Sequence, residues 1–159
     1  MVTLKEWSDF VERITDEIEL LHQEVDAIRP LADKLQLMDP DPVELRAAAA
    51  SLHAFYNGIE RVLLLLVRRL DSTVPTGIRW HRELLDQAAD STRNRPAIIS
   101  NGPKEPLVEY LGFRHVFRHN YPGTLRWAQC SSLFRSMSDV LSQFRTEVEA
   151  FLENLDIDD

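Results

Sequence analysis

Two arginines, two histidines and a tyrosine fall within eight residues, Arg114-His115-Val116-Phe117-Arg118-His119-Asn120-Tyr121. Imidazole changes charge near neutral pH and so can move protons, and a planar guanidinium grips phosphate or carboxylate through paired N–H groups. Proton transfer beside a bound anion is the chemistry these residue types offer. Their spacing constrains it. On a regular helix with about 100° per residue, Arg114 and His119 lie roughly 140° apart, whereas Arg114 and Arg118 share a face, as do His115 and His119. A site using both Arg114 and His119 therefore needs either a loosened helix end or two chains facing each other, and the second arrangement predicts a homodimer with a composite site. His115 and His119 have the i,i+4 spacing of a zinc pair, but no carboxylate or cysteine stands at a supporting distance in sequence, so no metal site is expected. His22 and His53 read as ordinary helix residues and His81 beside Trp80 as structural, while Glu60 either orients an arginine of the motif or is a plain surface acid, a structural ion pair being the reading preferred. Cys130 reads as a small buried residue, and Trp127 as core or dimer contact.

The elements that must position this segment follow from hydrophobic spacing. Trp7, Val11, Ile14, Ile18, Leu21, Val25 and Ile28 repeat at alternating fours and threes, one apolar seam along a first helix. Thr3 and Glu6 form a capping-box pattern at its start, and Pro30 should end or kink it, with Leu31 to Leu37 left open as a continuation. Asp41, Pro42 and Glu44 supply an N-cap, a first-turn proline and an N3 acid for a second helix. That helix carries Leu45, Ala48, Leu52, Phe55, Ile59, Leu63, Leu66 and Leu70, and Val62, Leu64, Leu65 and Val67 widen the stripe until little polar face is left. A helix apolar on most sides is buried on most sides, so it should be central. A shorter helix is expected over 78–89, with Trp80, Leu84 and Leu85 inward. Residues 91–106, with Pro96, Gly102, Pro103 and Pro106, read as a long surface loop. A helix over 107–119 follows, broken at Tyr121-Pro122-Gly123. Leu125, Ala128, Leu133, Met137, Val140, Phe144, Val148 and Phe151 mark a last long helix over about 124–155. Three long and two shorter helices predict an all-α, up-and-down bundle, taken as one domain over 1–159.

The 159 residues carry 18 Lys and Arg against 26 Asp and Glu, a net charge of −8. That acidity is uneven. Between Arg79 and Arg135 nine bases face five acids, while the rest of the chain holds nine bases and 21 acids. A basic middle on an acidic body can hold a polyanion locally, although long-range steering is weak. The longest apolar run, Val62 to Val67, is far short of the ~20 residues a spanning helix needs. With no signal-peptide pattern and one cysteine, the chain is expected to be soluble and cytoplasmic, without membrane contact.

Arg114, four residues, His119, one residue and Tyr121 resemble the R-x4-H-x-Y signature of HepT-like toxins, within the HEPN superfamily of small helical domains. The polar His115 directly after the arginine fits that pattern. Phe55-Tyr56-Asn57-Gly58-Ile59-Glu60-Arg61 and Trp80-His81-Arg82-Glu83-Leu84-Leu85 resemble family segments in the expected order. The resemblance covers most of the chain, and the first helix is its least diagnostic part. It implies a metal-independent endoribonuclease without cofactor, the toxin of a toxin–antitoxin pair. His119 would move protons as the ribose 2′-OH attacks, and Arg114 would bind the phosphate and its transition state. His115, Arg118 and Asn120 would contact RNA. Tyr121 would be where a minimal nucleotidyltransferase antitoxin attaches AMP, a bulky anion that blocks the groove. A competing expectation is a non-catalytic helical partner of a nucleotidyltransferase that holds nucleotide with Arg114 and Arg118.

Overall fold

A computed structural model describes residues 2–119 and 124–155. The described residues form an all-helical chain of five helices in the order α1 (Leu4–Lys34), α2 (Pro42–Leu70), α3 (Trp80–Ala89), α4 (Asn101–His119) and α5 (Trp127–Glu153). Three are long, at 31, 29 and 27 residues, and two are shorter, at 10 and 19.

The predicted caps form. The Thr3 hydroxyl accepts from the Glu6 N–H while the Glu6 carboxylate accepts from the Thr3 N–H, and Asp41 and Glu44 repeat the exchange at the start of α2. Each box satisfies two backbone donors that a helix start leaves without partners. Pro30 does not end α1, which runs on to Lys34. Four residues from the helix end, its ring costs one backbone bond and little else.

The seam of α1 packs on α2, with Ile14, Ile18, Leu21 and Val25 buried and Trp7, Val11 and Ile28 at its margins. As its composition predicts, α2 is central. It contacts α1, α3, α4 and α5, and buries Phe55, Tyr56, Ile59, Leu63 and Leu66 almost completely. Gly58 lets α1 come close, since a Cβ there would collide with the Leu21 side chain. His53 of α2 meets Phe117 of α4, and Asn57 of α2 meets Arg114, so the two helices run antiparallel.

The expected loop over 91–106 is corrected at both its length and its exposure. Helix α4 begins at Asn101, and only 91–100 is irregular. Pro103 falls in the first turn, where a missing N–H costs nothing, and Pro106 forgoes one backbone bond. The shorter segment is not a surface strap. Ile98 and Ile99 enter the core, and Arg95 is 4% exposed. Its Nε and Nη2 donate to the two carboxylate oxygens of Asp71, at 2.6 and 2.7 Å, and its remaining N–H groups reach the carbonyls of Gln87, Asp90 and Pro96. The fork ties the segment to the end of α2. Helix α3 starts at Trp80 rather than Ile78, which is fully exposed, and Trp80 itself is half-buried.

Candidate functional site at the α2–α3–α4 junction

The segment that opened the sequence reading lies on the last two turns of α4. That helix is regular through His119, so the two faces predicted from residue spacing are both present. His115 and His119 are exposed neighbours one turn apart, with ring centres 4.4 Å from each other. Arg118 is exposed as well. Arg114 instead turns inward between α2 and α3. Within one protomer the structure does not bring Arg114 and His119 together. Asn120 and Tyr121 lie outside the described residues, and with them the expected turn at Tyr121-Pro122-Gly123.

Arg114 is held by both helices it faces. Its Nε donates to the Asn57 Oδ1 of α2 at 2.8 Å. Its Nη1 lies 3.3 Å from Nδ1 and 3.4 Å from Nε2 of His81, on α3. A donor nearly equidistant from both ring nitrogens cannot approach in the ring plane, because Cε1–H stands between them. The guanidinium therefore lies over the imidazole face. The Trp80 indole stacks on the same ring at 3.7 Å between centres, which leaves the other face to Arg114. The ring edge is fixed too, since His81 Nδ1 donates to Glu60 Oε2 at 2.6 Å. Glu60 is 7% exposed and sits one turn beyond Asn57 on the same face of α2. A buried carboxylate is costly unless paired, and His81 and the nearby Arg114 charge supply the pairing.

Two further groups of α2 border this junction. The Tyr56 hydroxyl is buried with no hydrogen-bond partner among the described residues. Burial, then the Glu60 charge, push it well above the ordinary tyrosine range, against the opposing pull of Arg114 and Arg82, so it stays neutral. His53 packs against Phe117 with Nδ1 buried and unpartnered. Burial, and then repulsion from Arg114 and Arg118, hold its ring below the ordinary histidine value. His53, Asn57 and Glu60 thus form an i, i+4, i+7 strip facing the arginines of α4.

The groove between α3 and the segment after it is lined by the acids Asp71, Glu83, Asp86 and Asp90, of which Asp71 is paired with Arg95 and Asp86 with Arg82 and Lys104. Among the described residues no three His, Cys, Asp or Glu side chains are grouped so as to hold a metal ion. No described helix is long and apolar enough to cross a membrane. Cys130 is buried, and Trp127 packs against Phe134 beneath the Arg135 guanidinium, on the core side of α5.

A family model described as HepT-like protein matches residues 47–155, which span most of α2 and all of α3, α4 and α5. The chain belongs to the HepT-like family. No curated protein and no solved structure gives a significant match. The matched range excludes α1, the element with the least diagnostic sequence, and contains every residue of the Arg114 junction. In this chain the fold puts Asn57 and His81 against Arg114, with Glu60 on the His81 ring. Sequence reading gave His81 a structural part, left Glu60 between orienting a motif arginine and a structural or surface acid, and gave Asn57 no part. The spacing of Asn57 and Glu60 on one face of α2 was the available signal, but nothing in the sequence says which face meets α4.

Proposed function

We propose that this HepT-like chain is a metal-independent endoribonuclease, with Arg114 as the phosphate and transition-state group and His119 as the proton-transfer group. The observation that carries this reading is the combination of an anchored guanidinium with exposed histidines on the next turns of one helix. Among the described residues the Nη2 of Arg114 has no partner, so an N–H corner remains for a phosphate oxygen. The chemistry would proceed by attack of the ribose 2′-OH on the adjacent phosphorus, with loss of the 5′-oxygen. Imidazole at His119 takes or returns the proton, and guanidinium stabilises the charge on the pentavalent phosphorane.

Because Arg114 and His119 point to different sides of a regular helix, the complete site requires a second copy of the chain. Two protomers would bring Arg114 of one near His119 of the other, and two copies of His119 would divide the acid and base steps. His115, Arg118 and Asn120 would contact the RNA backbone. In this reading the chain is the toxin of a toxin–antitoxin pair. A nucleotidyltransferase partner would silence it by transferring AMP to the Tyr121 hydroxyl, placing a bulky anion two residues from His119.

Incubation of labelled RNA with the purified chain in EDTA tests the reading. Cleavage by the wild type, abolished in His119→Ala and in Arg114→Ala, is expected. A wild type that cuts nothing, and whose intact mass shows no added AMP, would instead favour a nucleotide-holding partner without catalysis. After co-expression with a neighbouring nucleotidyltransferase, a mass increase of one AMP should map to Tyr121 and vanish in Tyr121→Phe.

A further inference from the structure

A planar guanidinium has its orientation fixed once two of its nitrogens are held. Asn57 Oδ1 holds Nε from α2, and the His81 ring holds Nη1 from α3. The third corner, Nη2, is then aimed by its two neighbours. His81 can do this only if its own ring is fixed. Glu60 grips the ring edge at 2.6 Å, and Trp80 backs the face turned away from Arg114. The contacts are also selective in charge. Aromatic faces attract cations, so the ring face offered to Arg114 suits a guanidinium, while the 7%-exposed Glu60 holds the ring by its edge. Glu60 makes no hydrogen bond to Arg114 itself, so its influence passes through His81.

We propose that His81, clamped by Glu60 and Trp80, is the positioning residue for Arg114, acting with Asn57 to aim the Nη2 corner at the phosphate of an RNA substrate. The proposal rests on the ribonuclease reading for its substrate, but its structural core does not. Neither His81 nor Glu60 touches the reacting atoms. Their part is to remove the rotational freedom that a long side chain would otherwise lose on meeting the transition state.

Two readouts on the full chain separate the ideas. Nitrogen-15 spectra report the Arg114 Nε–H directly, assigned by its loss in Arg114→Lys, and its hydrogen exchange measures how firmly Asn57 and His81 hold the group. Single-turnover cleavage of a labelled RNA reports the chemistry. In His81→Ala the Arg114 Nε–H should exchange at least about tenfold faster, and kcat should fall roughly 10- to 100-fold with a smaller change in KM. His81→Gln, whose amide can still donate to Glu60 but offers no ring face to Nη1, should recover only part of the loss. Glu60→Gln keeps the side-chain volume and should shift both readouts in the same direction as His81→Ala, which covers the case where the alanine variant loses its helical circular dichroism. Unchanged Arg114 exchange in His81→Ala and Glu60→Gln overturns the proposal, whatever happens to cleavage. Should the wild type cut no RNA while Arg114 still loosens in these variants, the ribonuclease reading falls and the positioning role stands.

Discussion

The Asn57 side-chain oxygen accepts from Arg114 Nε at 2.8 Å across the antiparallel α2–α4 pair, and this bond anchors the arginine on the helix face away from His119. One consequence concerns the kind of cation the site needs. A lysine ammonium at 114 would keep the charge but could not bond Asn57, cover the His81 face and still present a third fixed donor. Arg114→Lys should therefore fold normally and lose roughly 100-fold in single-turnover cleavage, the scale typical of removing one transition-state donor. Retention of more than a tenth of wild-type activity would mean that a point charge suffices.

The buried Arg95–Asp71 fork predicts a large stability effect far from the histidines. Arg95→Ala strands an almost fully buried carboxylate and removes the tie between residues 91–100 and α2. The free energy of unfolding in a urea titration should drop by about 3–5 kcal/mol.

The same pair predicts an acid limb. Burial by itself raises the Asp71 carboxyl, but hydrogen bonds from Arg95 and Gln87 outweigh it and hold the group below its ordinary value. A depressed carboxyl contributes fully above its unfolded value and loses that contribution as pH falls through the folded one. Asp71→Asn should be less stable than wild type at neutral pH, and the gap should narrow as the solution is acidified below the ordinary carboxylate range. Parallel stability curves for the two chains would count against the fork.

His53 predicts a second pH dependence, nearer neutrality. Burial, then Arg114 and Arg118, lower its folded value below the ordinary 6.5. Just below that pH the unfolded chain binds a proton that the folded chain refuses, so stability rises with pH across the window that ends near 6.5. Urea titrations across that window should show this slope in wild type and a flatter one in His53→Gln.

Cys130 is fully buried, and burial pushes its thiol up to about 11. The thiolate is the reactive form, so the native chain should react with a thiol reagent only as fast as it unfolds. A rate independent of reagent concentration, and equal to the unfolding rate, is expected. Rapid labelling in native buffer would place the thiol at the surface.

What could be read without coordinates was whatever depends on neighbours along the chain. The capping boxes at Thr3–Glu6 and Asp41–Glu44, the seam of α1, the all-round apolar α2 and the opposite faces of Arg114 and His119 are all consequences of helical periodicity. Proline misled that reading over 101–106, because its penalty depends on position within a helix. Pro30 lies near the end of α1, and Pro103 lies in the first turn of α4, where little backbone bonding is lost. Tertiary structure alone decided what Arg114 faces. Asn57 and His81 lie 57 and 33 residues away from it in sequence, and they meet it because α2, α3 and α4 pack against one another. The burial of Arg95 was hidden for the same reason: a charged side chain enters a core only where a distant carboxylate and three carbonyls converge on it, and local sequence does not encode that convergence.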